Sequence, residues 1–253
     1  STYAGDGNIE TVLSMKFNTT QDYNGNQDGN RWLVMMGMRN TNWSPYGKGW
    51  GACTVHPKVW NAFESGDKRK TASIIDLVGE GIESSFDLKD QREYTGYTVK
   101  KYTPMAFYDG TSASKADGSG DFQTSQHQDF VVVRYADVLL MAAELGSSNA
   151  QLYFDKVRKR AGLTTKEPSQ ENIMKERFVE FAFEGQRYWD LLRQGIDVAS
   201  STIAESGIEL KSGGNPDVIT ITADKIKTTK GFCQIPSTQI TLSDNVLKQN
   251  AGW

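Results

Sequence analysis

Two histidines and two cysteines in 253 residues leave little material for metal or nucleophile chemistry. With His56 and His127 as the only histidines, a Cys/His zinc cage is argued against. Neither histidine stands beside a nucleophile motif. Cys53 lies three residues before His56, but a reactive pair needs spatial contact that spacing does not supply. Cys53 and Cys233 read as two unpaired small hydrophobes, with a disulfide as the alternative. Charge of either sign is not in excess: a net −3 gives no global attraction to nucleic acid or anionic lipid. No apolar run approaches the roughly 18 residues that span a bilayer. The first residues, STYAGDGNIE, are neither a signal peptide nor a lipidation site, so a targeting segment is expected to have been removed or to lie in a longer chain.

Aromatic residues and glycine, by contrast, are plentiful. Six Trp, ten Tyr, eleven Phe and 24 Gly sit largely in the first half and in loops. Aromatic rings on irregular backbone either close a loop-rich core or form flat binding platforms. Residues 1–130 read as strands and long loops. NIETVLSMKF fits a strand ending near Phe17, and TASIIDLV and GYTVKKYT fit two more. Pro57 suits the first turn of a short helix with Val59, Trp60 and Phe63 inward and Gly66 as its stop.

Residues 131–195 change character. In VVVRYADVLLMAAELG, Tyr135, Val138, Leu139, Ala142 and Ala143 make a helical stripe that Gly146 ends. Ser148 or Asn149 caps a second helix with Ala150, Tyr153, Phe154, Val157 and Ala161 on one face, ending at Gly162. So short a link makes the two antiparallel, a tetratricopeptide-like pair. Pro168 and Ser169 start a long third helix running to about Arg193. The fold expected is therefore α+β with a mainly helical core: that pair and the long third helix embedded in loop-rich, short-strand structure. The organisation expected is a ligand-facing region 1–130, a helical unit 131–195 and an irregular segment 196–253, all within one domain.

The third helix raises the question of chemistry. At about 100° per residue, Glu176, Arg177, Glu180, Glu184 and Arg187 share one arc of it. Met174, Phe178, Phe181, Ala182, Trp189 and Leu192 lie opposite, so the helix reads as central. Carboxylates in line repel, and call for cations. Arg177 and Arg187 supply two, with Arg134, Arg158 and Arg160 of the preceding helices as natural donors for the rest. A catalytic acid needs its pKa raised, whereas arginines push it down. Glycosidase carboxyls also face each other across a sugar, at about 5 Å or about 6.5–9.5 Å, not from one turn of one helix. These acids read as an ion-pair network, not as the acid and base of a hydrolase.

RYADVLLMAAEL, the helix ending KVRKRAGL, and ERFVEFAFEGQRYWDLLRQG together resemble the C-terminal half of SusD/RagB-type outer-membrane nutrient-binding lipoproteins. The closing QIPSTQITLSDNVLKQNAGW is similar to that family's last segment, and HPKVWNAFESGDKR and TGYTVKKY agree with it in the first half. The resemblance spans most of residues 50–253. It implies a non-catalytic cell-surface protein that captures glycans, or sometimes peptides, for import through a SusC-like TonB-dependent transporter, with no cofactor and no nucleic-acid partner. It also implies an outer-membrane lipoprotein about twice this length, whose signal peptide and lipidated cysteine belong to an N-terminal half not contained in this sequence.

Sugar rings lay C–H faces on aromatic rings and offer hydroxyls to planar amides, carboxylates and Arg. RNTNWSPYGKGW supplies Arg39, Asn40, Asn42, Trp43, Tyr46 and Trp50 on Gly-rich backbone, and is the first candidate for a ligand site. The alternative for any one of these aromatics is a place in the core; Trp60 and Phe63 are expected there. In QDYNGNQDGNRW, Asp22, Asn24, Asn26 and Asp28 alternate as in a calcium loop, but Leu33 stands where an EF-hand needs Glu. A solvated loop is expected, with a Ca2+ site of another kind as the lesser alternative. Tyr108, Asp109 and His127 border a long polar loop and are weaker candidates. Set against glycan capture is a helical-repeat scaffold whose first-half aromatics are merely core.

Overall fold

The computed structural model describes residues 8–17, 29–39, 45–85, 87–104, 123, 126 and 128–253. The chain packs as two compact units. The first runs to Phe183 and includes residues 211–215; the second comprises 184–210 and 216–253.

In chain order the first unit carries β1 (Thr11–Met15), α1 (Arg31–Met36), β2 (Met38–Arg39), β3 (Lys48–Gly49), α2 (Pro57–Ala62), α3 (Arg69–Ser73), β4 (Ile74–Asp76), β5 (Tyr97–Val99), β6 (Phe130–Arg134), α4 (Tyr135–Glu144), α5 (Ala150–Arg160) and α6 (Gln170–Glu180). The strands pair only in twos: β1 with β6 and β4 with β5 antiparallel, β2 with β3 parallel. Three apolar clusters fill the unit. One joins Leu140, Phe154, Ile173 and Phe181; a second joins Leu33, Val55, Phe63, Val99, Tyr102 and Val179; a third joins Met38, Tyr46, Ile75, Leu77 and Tyr94. Helix α6 contributes to the first two, so the helical pair and the loop-rich region share it as a central post, as its broad apolar circumference implies.

Local signals explain most of the elements. Asn30 caps α1 by accepting from the Trp32 amide at 2.9 Å, a helix hidden in the run LVMM. His56 caps α2 with Pro57 at its first position, although the helix stops at Ala62, short of Gly66. Ser169 caps α6. Gly146 and Gly162, both at positive φ, follow α4 and α5.

Two expectations about the helices are corrected. The buried stripe of α4 is Ala136, Leu139, Leu140 and Ala143, leaving Tyr135 and Val138 exposed. The helix is turned because Asp137 must meet Arg177, which it accepts at 2.6 Å. The third helix does not run to Arg193. It ends at Glu180, and α7 (Arg187–Leu192) begins anew in the second unit. The cause is chemical. The Glu180 carbonyl, which a continuing helix would give to the amide four residues on, accepts instead from Lys101 Nζ at 2.7 Å and Arg134 Nη2 at 2.8 Å. Phe183 and Gly185 then take positive φ, and Phe181 lies under the guanidiniums of Arg134 and Arg177 at 4.5 and 4.8 Å.

The second unit adds α8 (Ile196–Ile203), the hairpin β7 (Glu205–Ser212) and β8 (Asn215–Ile221), α9 (Ala223–Thr229) and α10 (Ser237–Leu242). Helix α7 packs on α8 and α8 on α9. Cys53 and Cys233 are both free thiols. Among the described residues no helix is long and apolar enough to cross a membrane.

The β2–β3 crossing depends on two glycines. A Cβ at Gly49 would sit 2.6 Å from both the Gly37 carbonyl carbon and the Val34 carbonyl oxygen, atoms that cannot yield. Gly49→Ala is expected to lower stability by at least about 1–3 kcal/mol, as overpacking does, seen as an earlier midpoint in urea denaturation. An unchanged midpoint contradicts the crossing.

Candidate functional site

The acids of α6 come first, since they decide whether the site is one of turnover or of binding. Glu180 lies in the first unit with its side chain 1% exposed. Its Oε1 accepts from Arg134 Nη1 and Arg160 Nη2, and its Oε2 from Arg69 Nη1 at 2.8 Å. One turn earlier, Glu176 accepts from Arg69 at 2.6 Å and from Arg158 at 2.8 Å. Asp67 takes Arg69 in a fork of two bonds, 2.9 and 2.7 Å. At the rim, Glu10 meets Arg160 at 3.0 Å and Glu64 meets Arg158 at 2.9 Å. Glu180, Glu176, Asp67, Glu10 and Glu64 thus meet Arg69, Arg134, Arg158 and Arg160, with Lys101 on the Glu180 carbonyl and Lys166 on Glu64 at the rim.

Burial by itself would raise the Glu180 carboxyl, but Arg134, Arg160, Lys101 and Arg69 outweigh it and hold the group well below the carboxylate range. It stays ionised and has no proton to give. Arg134, Arg158 and Arg160 do what the sequence assigned to them. Arg69 and Lys101, both from the first half, are additions; the only sequence signal for Arg69 was the basic run KRK and a row of acids short of partners. Glu184 and Arg187 lie past the helix break, so they do not share an arc with Glu180.

The aromatic candidate is built from the β2–β3 crossing. Residues 50–52 leave β3 beside α1: the amides of Trp50 and Ala52 donate to the carbonyls of Val34 and Met35, both at 2.8 Å. Arg39 grips this segment from β2, donating to the Trp50 carbonyl at 3.1 Å and the Asp90 carbonyl at 2.6 Å. Gly51, at φ +58, lets it pass Arg39. The Trp50 indole projects from this frame and is 38% exposed. Its Nε1 donates to Gln123 Oε1 at 2.9 Å, Arg31 donates to the Gln123 carbonyl at 2.7 Å, and the Arg31 guanidinium stands 5.8 Å from the ring. The result is an aromatic surface with a cation and an amide beside it, the combination a saccharide ring needs. Arg31 and Gln123 had no signal in the sequence; Arg31 stands at the start of α1, and Gln123 falls in the sequence between Asp109 and His127.

Tyr46 is placed otherwise. It is 4% exposed, in the core with Met38, Ile75 and Leu77, and its hydroxyl donates to Glu80 at 2.7 Å. Burial, then Glu80, push the phenol well above its usual range. No ligand can stack on it, so Tyr46 is corrected from contact to support: a hydroxyl with a partner at hand lets a tyrosine close this core. Phe63 is buried as expected, and Trp60 is half-buried, stacked on Tyr97 at 4.9 Å. Asn40, Asn42 and Trp43 lie outside the described residues, as do Asp22, Asn24, Asn26 and Asp28 of the calcium-like loop and Tyr108, Asp109 and His127. Among the described residues no group of His, Cys, Asp and Glu is arranged to hold a metal.

With this geometry in hand, the model of the SusD family matches residues 87–253, two thirds of the chain. The chain belongs to the SusD family. Among curated relatives it is 22% identical over 238 residues to SusD-like protein P2 of Formosa agariphila, covering 86% of this chain and 43% of that one. Among solved structures it is similar to surface glycan-binding protein A from Bacteroides thetaiotaomicron, with 25% identity, a TM-score of 0.74, and 97% of this chain against 52% of that one. A laminarin-binding SusD-like protein matches at 26% identity and a TM-score of 0.72, over 100% of this chain and 52% of its own. The SusD-family chain described here spans about half the length of these relatives. Its mixed helix and short-strand architecture is theirs.

Glu180→Gln leaves its buried cations short of a counter-charge and is expected to cost about 3–5 kcal/mol in urea denaturation. The sign with pH follows from the lowered carboxyl: its stabilisation is complete above the unfolded value of 4.5 and is lost as pH falls below it toward the folded value. Between about pH 4.5 and pH 2 the wild-type protein should lose stability more steeply than Glu180→Gln. Parallel slopes contradict the network.

Proposed function

We propose that this chain is part of a cell-surface glycan-binding protein that captures oligosaccharide or polysaccharide without cutting it. The observation that carries the reading is its similarity, over its whole length, to a SusD-like protein named for binding laminarin. Laminarin is accordingly the first ligand to test. The site's chemistry supports the same reading: an indole held out by a stiff backbone crossing, flanked by Arg31 and Gln123, binds a ring without contributing an acid or a base.

In this proposal Trp50 stacks on a sugar face, and Arg39 keeps it in position through its carbonyl. Asn40, Asn42 and Trp43, next to them in sequence, are proposed as further contacts. Binding of this kind requires no cofactor. Handover to a TonB-dependent outer-membrane transporter, and attachment to the outer membrane through a lipidated N-terminus, are the wider setting proposed for the full-length protein. Because Glu180 stays ionised and Glu176 and Glu180 are both bound by arginines, the proposal is capture, not hydrolysis.

Calorimetric titration with laminarin is expected to show binding by the wild-type chain. Trp50→Ala should weaken it about tenfold, the order of one lost aromatic contact with its buried area, without lowering the unfolding midpoint. Unfolding of Trp50→Ala, together with no binding of any glycan, would instead favour a scaffold. Steady release of reducing ends by the wild-type chain would overturn the non-catalytic reading.

A further inference from the structure

A depression of about 30 Å3 opens in the first unit beside Gly51, one residue along the backbone from Trp50. Arg39, whose guanidinium grips the Trp50 carbonyl, lines it. Thr54 and Thr98, paired in a β-bridge, line it as well, and the segment 91–94 borders it. At roughly 10–15 Å3 for each water, there is room for about two non-hydrogen atoms. That excludes a sugar ring and admits one substituent of a ring.

The segment 91–94 is an arch with fixed feet. The Gly213 amide donates to the Gln91 carbonyl at 2.9 Å, and Tyr94 and Lys211 exchange two backbone bonds, at 2.7 and 2.8 Å. Between these feet Arg92 and Glu93 are exposed. Glu93 takes φ +51, a left-handed conformation that residues with a side chain adopt at a cost. Neither side chain makes a hydrogen bond or an ion pair among the described residues, so the arch holds out a cation and a carboxylate for something else. Gln91 is the opposite case. It is only 8% exposed, and its Nε2 donates to the Arg39 carbonyl at 3.2 Å. That bond fixes the amide and leaves Oε1 as an acceptor with no donor among the described residues. Arg39 commits two of its five N–H groups, to the Asp90 and Trp50 carbonyls, and keeps three. A fixed amide oxygen, spare guanidinium donors and an uncommitted carboxylate around so small a space match a group that both donates and accepts. A hydroxyl on a one-carbon stem is such a group. Glu93 is the one carboxylate among the residues lining the depression, so the facing pair that glycoside cleavage needs is missing there too.

We propose that this depression is a hydroxymethyl subsite adjoining Trp50. It seats the primary hydroxyl of a hexose next to the one stacked on the indole. Gln91 Oε1 and Glu93 accept from that hydroxyl, and the guanidiniums of Arg92 and Arg39 donate to it. The inference deepens the glycan-binding reading and rests on it, adding that the ligand is built of hexoses with a free hydroxymethyl group and not of pentoses.

The test is amide-resolved NMR on the intact chain with laminarihexaose and, to tens of millimolar, with methyl β-D-glucopyranoside and methyl β-D-xylopyranoside. The two glycosides differ by the hydroxymethyl group alone. Laminarihexaose is expected to shift the Trp50 indole and the Gln91 side-chain amide together. The glucoside should shift the Gln91 side-chain amide, and the xyloside should not. Arg92→Ala and Glu93→Ala should each weaken laminarihexaose binding about tenfold, the equivalent of one charge-assisted hydrogen bond. In both variants the Trp50 indole should reach the same final shift and the unfolding midpoint should stay where it is, because neither side chain holds any part of the fold. A response at Trp50 with Gln91 silent overturns this inference and leaves capture at Trp50 standing. Equal responses of Gln91 to the glucoside and the xyloside also overturn it, as do variants that bind like the wild type. Silence at both places overturns the two together.

Discussion

A single ionised carboxylate, that of Glu180, organises the first unit. Its two oxygens and its own backbone carbonyl gather Arg69 from α3, Lys101 from beyond β5, Arg134 from the end of β6 and Arg160 from the end of α5. Each cation comes from a different element, so one residue fixes four segments against α6. The cost of burying the charge is offset only because the cations arrive together; with one fewer, the remainder is a buried imbalance. The same group that holds the elements in place ends the helix it belongs to, since its carbonyl is taken by Lys101 and Arg134.

That arrangement also separates structure from ligand chemistry. The acids Glu176 and Glu180 are consumed in holding the fold, and the groups proposed to meet a ligand at Trp50 are an indole, amides and a cation. Trp50 does not take part in the network. It stands on a frame of backbone hydrogen bonds from α1 and on the grip of Arg39, and the core residue Tyr46 fills the space behind that frame's strands. Stiffness at the base and exposure at the tip are what a stacking platform requires.

Much of this was legible in the residues, though unevenly. The helix pair, the α6 cap at Ser169, the first turn at Pro57 and the pairing of the α6 acids with Arg134, Arg158 and Arg160 follow from periodicity, capping chemistry and charge balance. What misled was locality. The face of α4 is set by Asp137 reaching Arg177 forty residues away, which outweighs the apolar stripe that includes Tyr135. The end of α6 is set by Lys101 and Arg134, and no propensity of Glu180 or Phe181 announces it. Arg69 stands in a basic run, KRK, and only the fold brings it to three acids. Tyr46 and Trp50 sat alike in one Gly-rich segment, and only the position of Glu80 tells that Tyr46 turns inward.

The crossing of Gly37 and Gly49 has a consequence for how such a surface diversifies. Two backbones in contact leave no volume for a side chain, so an exchange at one glycine cannot be offset by an exchange at the other. Room for exchange lies instead at neighbours such as Trp50, whose side chain is exposed. A change of side chain at Trp50 alters the exposed surface, whereas one at Gly49 displaces the backbone that carries it.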